Sequence, residues 1–151
     1  MESEMKERLE ELKEKNKKII SETKIKNNIL LNECIEALGN YGNILCDKDS
    51  KYVYHIFQKI PFLPWGVDWQ KFQNSISLNK IEEIPEVCEK EEFYIIWSNE
   101  LPIINSSLYK ILDCIEDICA VEADTWLLSN DFNELIEFHH EGKITFGRVI
   151  V

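Results

Sequence analysis

The chain has 151 residues, 44% of them hydrophobic, and carries a formal net charge of -11 at pH 7. That length and apolar content suit a single domain spanning 1–151 with a real core, and they exclude a wholly disordered chain. The negative charge disfavours nucleic acid and anionic lipid as direct partners and favours a basic one. No apolar run approaches the roughly 20 residues of a membrane span, and "MESEMKERLEELKEKNKK" has no apolar secretory segment, so a cytoplasmic location is expected.

Residues 2–20 read as a helix in which Met5, Leu9, Leu12 and Ile19 recur at spacings of four, three and seven. So narrow an apolar stripe packs on one neighbour or self-associates as a short coiled coil, a route to a homo-oligomer. A second helical segment begins near Ser21. Its broader apolar face comes from Ile29, Leu30, Leu31, Cys34, Ile35 and Leu38, with Gly39 as its stop and "GNYGN" as a turn. Residues 52–60, "YVYHIFQKI", are aromatic and β-branched and predict a strand. In "PFLPWGVDW", Pro61, Pro64 and Gly66 break any regular element. Trp65 and Trp69 either pack this loop or face a partner, tryptophan being enriched at binding hot spots.

The segment from Ile81 to Glu92 gathers an acidic cluster of Glu82, Glu83, Glu86, Glu89, Glu91 and Glu92. "FYIIW" (93–97) is short, apolar and suited to a buried strand. Residues 106–119 predict the clearest helix, capped by Asn105 or Ser106. Leu108, Ile111, Leu112, Ile115 and Ile118 form one face, and Asp113, Glu116 and Asp117 project from the other. "DTWLLS" (124–129) reads as a strand and "NDFN" as a turn.

The last stretch, "LIEFHHEGKITFGRVIV", reads as a hairpin whose register can be derived. A two-residue loop of Glu141 and Gly142 would set Phe138 against Thr145, apolar against polar. A three-residue loop, His140-Glu141-Gly142, pairs Phe138 with Ile144 and Ile136 with Phe146, so both faces agree. It also puts Gly142 where a type I turn followed by a bulge needs positive φ.

Glu137 and His139 then share one face. A carboxylate and an imidazole so placed could orient a general base or supply two metal ligands, with His55 a distant third. A small metal-dependent hydrolase is the enzyme alternative. A catalytic zinc needs about three protein ligands, and no HExxH, GxSxG, Walker or dinucleotide motif occurs, so no catalytic residue, cofactor or metal is expected. The five cysteines show no CxxC spacing, which argues against a disulfide framework and a four-thiolate zinc site. Cys34 and Cys119 fall on apolar helix faces and Cys114 at the edge of one, as small core residues do.

"YIIWSNELP", an amphipathic helix and then "DTWLLSNDFNELIEFHHEGKITFG" together resemble small bacterial immunity proteins encoded beside polymorphic toxins, including those of contact-dependent growth inhibition. The residues that carry the likeness are Trp97, Trp126, Glu137, Phe138, His140, Glu141, Gly142 and Gly147. The resemblance implies tight binding and neutralisation of one cognate toxin domain, often a nuclease, in the producing cell's cytoplasm.

The expected architecture is α+β. Helices come first, and a mostly antiparallel sheet follows with the amphipathic helix 106–119 packed on one face. The expected function is a non-enzymatic immunity protein. The candidate toxin contacts are Glu82, Glu83, Glu86, Asp113, Glu116 and Asp117, with Trp65 or Trp69 as an aromatic anchor. The five cysteines as a set, Cys46 and Cys88 included, are expected to be small core residues. An adaptor that dimerises through helix 2–20 is the third alternative.

Overall fold

A computed structural model describes residues 28–72, 74–98 and 100–149, together with Glu7, Arg8 and Glu10. But for those three residues, the expected helix 2–20 lies outside the described residues, and so does self-association through it.

The first described helix, α1 (Ile29–Leu38), starts where Asn28 accepts the Leu31 amide at 2.9 Å. It buries Leu31, Cys34 and Leu38, and it stops at Gly39, where sequence placed its end. A two-residue strand, β1 (Asn43–Ile44), leads into α2 (Asp47–Phe57).

This second helix overturns the expected strand over 52–60. Aromatic and β-branched composition pointed to extended chain, but the positions that reach the core are Val53, Phe57 and Ile60. Spacings of four and three define one helical face, and burial of that face outweighs weak local propensity. Asp47 and Asp49 sit in its first turn, favourably placed against the helix dipole.

The ribbon β2 (Phe62–Leu63) and β3 (Gly66–Val67) follows, then β4 (Ser75–Leu78), a short α3 (Ile84–Val87) and β5 (Glu92–Ile96). Next come β6 (Ile104–Ser107), α4 (Leu108–Asp113) and α5 (Ile115–Cys119), and finally β7 (Thr125–Ser129), β8 (Glu134–Phe138) and β9 (Ile144–Arg148). The main sheet has seven strands in the order β1-β6-β5-β7-β8-β9-β4, antiparallel throughout, so the fold is α+β as expected.

The expected helix 106–119 needs two corrections. Its first residues belong to β6, so the cap is Ser107, which accepts the Lys110 amide, rather than Asn105 or Ser106. Asn105 instead donates to the Phe93 carbonyl and to Asn130. The helix also breaks at Cys114 (φ -110, ψ 18) into α4 and α5. The face assignment stands: Leu108, Ile111, Ile115 and Ile118 are buried, while Asp113, Glu116 and Asp117 are exposed.

The 106–119 segment packs on one face as expected, and helical elements cover the other face too. On the first, α1, α3, α4 and α5 pack on Phe93, Ile95, Ile104, Leu127, Ile136 and Phe146. On the second, α2 and the loop after it pack on Ile96, Ile103, Leu128 and Leu135. Strands buried on both sides read as continuous apolar runs, which is why "YIIW" shows no alternation. Each fully buried Leu, Ile or Phe contributes about 1.5–3 kcal/mol relative to exposure.

The terminal hairpin has the derived register: Phe138 opposes Ile144 and Ile136 opposes Phe146. Gly142 takes φ 89, as the three-residue loop demands, and its amide donates to the His139 carbonyl at 2.8 Å. Gly142→Val is therefore expected to destabilise by about 1–2 kcal/mol, since a β-branched residue resists positive φ. An unchanged melting temperature would refute that turn assignment. The preceding "NDFN" turn is held by Asp131, which accepts from Ser129 Oγ at 2.7 Å and pairs with Lys90 at 2.9 Å. The hydrogen bond from Lys90 holds the Asp131 carboxyl down at about 2.

Candidate functional site

On the α2 face of β8, Glu137 is only 4% exposed. Its Oε2 accepts the Val67 amide and Trp126 Nε1, each at 2.9 Å, and its Oε1 accepts Trp69 Nε1 at 3.0 Å. One carboxylate thus clips the "PFLPWGVDW" loop to the sheet. Gly66 permits that approach, because a Cβ there would lie 3.0 Å from Glu137 Oε2. Gly147 leaves room for the Trp69 ring, which a Cβ would meet at 2.6 Å. Trp69 is accordingly an internal fastening. Trp65, at the tip of the same loop, is 63% exposed. It lies in a groove of about 480 Å³ with Phe62, Leu63, Trp126, Asp124 and His140.

Glu137 and His139 share a face, as derived, but their partners differ. His139 Nε2 bonds the Trp65 carbonyl at 2.7 Å. His140 Nδ1 bonds Asp124 Oδ1 at 2.9 Å, and the His140 amide donates to the same oxygen at 2.7 Å. Asp124, His139 and His140 each bring a ligand-type atom within 4.8 Å of the others. His55 is not in this group; it lines another groove with Asp47, Ser50 and Glu100.

The second buried carboxylate, Glu134, points to the opposite face of β8. It accepts the amides of Glu89 and Lys90 at 3.0–3.2 Å, with Arg148 Nη2 at 3.8 Å. This anchors the acidic segment beside α4. Glu82 and Asp113, from separate stretches of sequence, therefore line one groove of about 760 Å³, joined by Glu89, Glu91 and Glu92. Its apolar floor includes Ile81, Pro85, Leu108 and Leu112, and Tyr109 stands at its edge, 83% exposed. Glu86 is exposed on α3, and Glu116 and Asp117 are exposed on α5. Glu83 is partly occupied, since its Oε2 accepts the Asn79 amide at 2.8 Å. Trp65 belongs to the other face of the sheet, so the two candidate surfaces, acidic and tryptophan-bearing, are separate.

The family model described as CdiI immunity protein, EcoliA0-like, matches residues 28–147. The chain belongs to the CdiI immunity protein family. No curated protein sequence matches it. Every residue of the stated resemblance falls within the matched span: Trp126 and Glu137 form the clip, Gly142 makes the turn, and Gly147 admits Trp69.

In this CdiI family member Cys46, expected in the core, is exposed at the N-terminal end of α2, while the buried and half-buried thiols offer little chemistry. Burial pushes Cys34 and Cys88 up to about 12 and Cys119 to about 11, keeping them protonated and poorly nucleophilic. Among the described residues, no helix is long and apolar enough to cross a membrane. Sequence reasoning passed over Tyr109, Asp124 and the clipping role of Glu137. Tyr109 carried a readable signal, an aromatic residue beside the acidic face of its helix. The other two depend on contacts between distant segments.

Proposed function

We propose that this chain is an immunity protein that binds one cognate toxin domain in the producing cell's cytoplasm and neutralises it by stoichiometric occlusion, without catalysis. The observation that carries this reading is the family match over residues 28–147. The toxin domain is proposed to be basic, in the manner of a nuclease that must present positive charge to its polyanionic substrate. Its proposed seat is the acidic groove of Glu82 and Asp113, flanked by Glu83, Glu86, Glu116 and Asp117. Tyr109 serves there as the aromatic anchor in place of a tryptophan. Long-range attraction to a net charge of -11 supports fast, steered encounter.

The decisive experiment pairs the chain with the toxin domain encoded directly upstream of its gene. Co-expression is expected to protect cells, and the purified proteins to form a one-to-one complex without toxin activity. Full toxin activity in the presence of excess chain would overturn the proposal.

A second contact surface is favoured by one observation, the 63% exposure of Trp65 beside exposed Phe62 and Leu63. Trp65→Ala is expected to leave folding stability within about 0.5 kcal/mol, because the indole is mostly in water. A toxin seated on this face would dissociate faster from that variant. One seated in the acidic groove would not respond, and dissociation rates distinguish the two.

A further inference from the structure

We infer that Asp124, His139 and His140 form a binding site for a divalent transition metal of the zinc class. The inference is independent of the immunity reading, and it departs from the expectation of no metal, which weighed histidine spacing along the chain. Pairing of Thr125 with Phe138 across β7 and β8 brings Asp124 beside the two histidines. The ladder, not sequence proximity, assembles the group.

The His139 proton is already arranged for ligation. A carbonyl can only accept, so the 2.7 Å contact with Trp65 O fixes the proton of His139 on Nε2 and makes Nδ1 the nitrogen with the lone pair. Metal-bound histidines characteristically donate their other ring N–H to a carbonyl or carboxylate, which holds the ring in place. The Glu141 amide meets His139 Nδ1 at 3.2 Å, a long bond that a cation displaces readily. His140 Nδ1 and Asp124 Oδ1, 2.9 Å apart, share one proton between two lone pairs. A cation replaces that proton, which moves to Nε2 of the same ring, so the imidazole stays neutral.

Spacing is compatible. Tetrahedral zinc with bonds of 2.0–2.1 Å sets ligand atoms about 3.3 Å apart. One ligand-type atom from each of the three residues lies within 4.8 Å of the others. The side chains of His140 and Asp124 are 45% and 28% exposed, which leaves both room to adjust toward a cation. Two imidazoles and one carboxylate suit zinc, copper or nickel better than magnesium or calcium. Asp124 and His140 also border the groove of Trp65, Phe62 and Trp126, where a water or another protein's side chain can complete the shell.

The test is calorimetric titration of Zn²⁺ into the metal-free full chain at neutral pH. One saturable site is expected. Asp124→Asn, His139→Ala and His140→Ala should each weaken it at least tenfold, and His55→Ala should leave it unchanged. In the wild-type chain, Zn²⁺ should shift the ring resonances of His139 and His140 but not those of His55, a readout free of any effect of substitution on folding. Co²⁺ should give a visible spectrum of nitrogen and oxygen ligands. Three results would overturn the proposal: no saturation below millimolar metal, equal affinity in the three site variants, or a thiolate charge-transfer band from the exposed Cys46.

Discussion

Glu137→Ala is expected to destabilise the fold by about 3–5 kcal/mol, since a buried donor left without a partner costs about 1–3 kcal/mol. Three donors lose their acceptor at once: the Val67 amide and the indoles of Trp69 and Trp126. Partial solvent access to the two indoles keeps the total below the simple sum. Glu137→Gln should be milder, about 1–3 kcal/mol. An amide oxygen in the Oε2 position keeps Val67 and Trp126, but the NH2 then faces the Trp69 N–H, donor against donor. Urea unfolding followed by tryptophan fluorescence reads both variants. If each stays within about 0.5 kcal/mol of wild type, the carboxylate is not the clip described.

The second large effect concerns association with the toxin domain. Reversing Asp113, Glu116 and Asp117 together to Lys should preserve folding, because all three are exposed and Asp113 makes only a 3.8 Å ion pair with Lys110. It should slow association at least tenfold and flatten its salt dependence, as loss of steering does. A parallel reversal on the acidic segment should use Glu82, Glu86 and Glu91. Glu83 is better left alone, because its carboxylate accepts the Asn79 amide and its loss would mix folding with binding. Association rates measured by stopped flow from low to high salt decide the matter. Rates unchanged by both reversals and insensitive to salt would rule out electrostatic capture in the acidic groove. The interface would then be sought around Trp65.

Legibility in the sequence followed the range of the interactions concerned. The terminal hairpin was readable to the residue, because face alternation and a glycine at a fixed loop position constrain the same register. The buried face of α4 and α5 was readable from helical spacing, but their break at Cys114 was not. α2 was misread because its aromatic and β-branched content favoured a strand, and only its packing against Leu128 and Leu135 selects the helix. Glu137 stood out as a residue, yet its role depends on donors some 70 positions earlier, which no local pattern encodes. The same holds for Asp124, whose neighbours are set by strand pairing.

The carboxylates of this chain fall into two populations with different freedom to change. Glu134 and Glu137, on one strand and facing opposite ways, are saturated with donors and tie a separate segment to each side of the sheet. Glu82, Glu86, Glu116 and Asp117 project into water and hold nothing together. Substitutions among the exposed set can redraw the charge pattern shown to a partner at little thermodynamic expense, typically within about 0.5 kcal/mol each. The surface offered to a partner can therefore diversify while the scaffold is inherited intact.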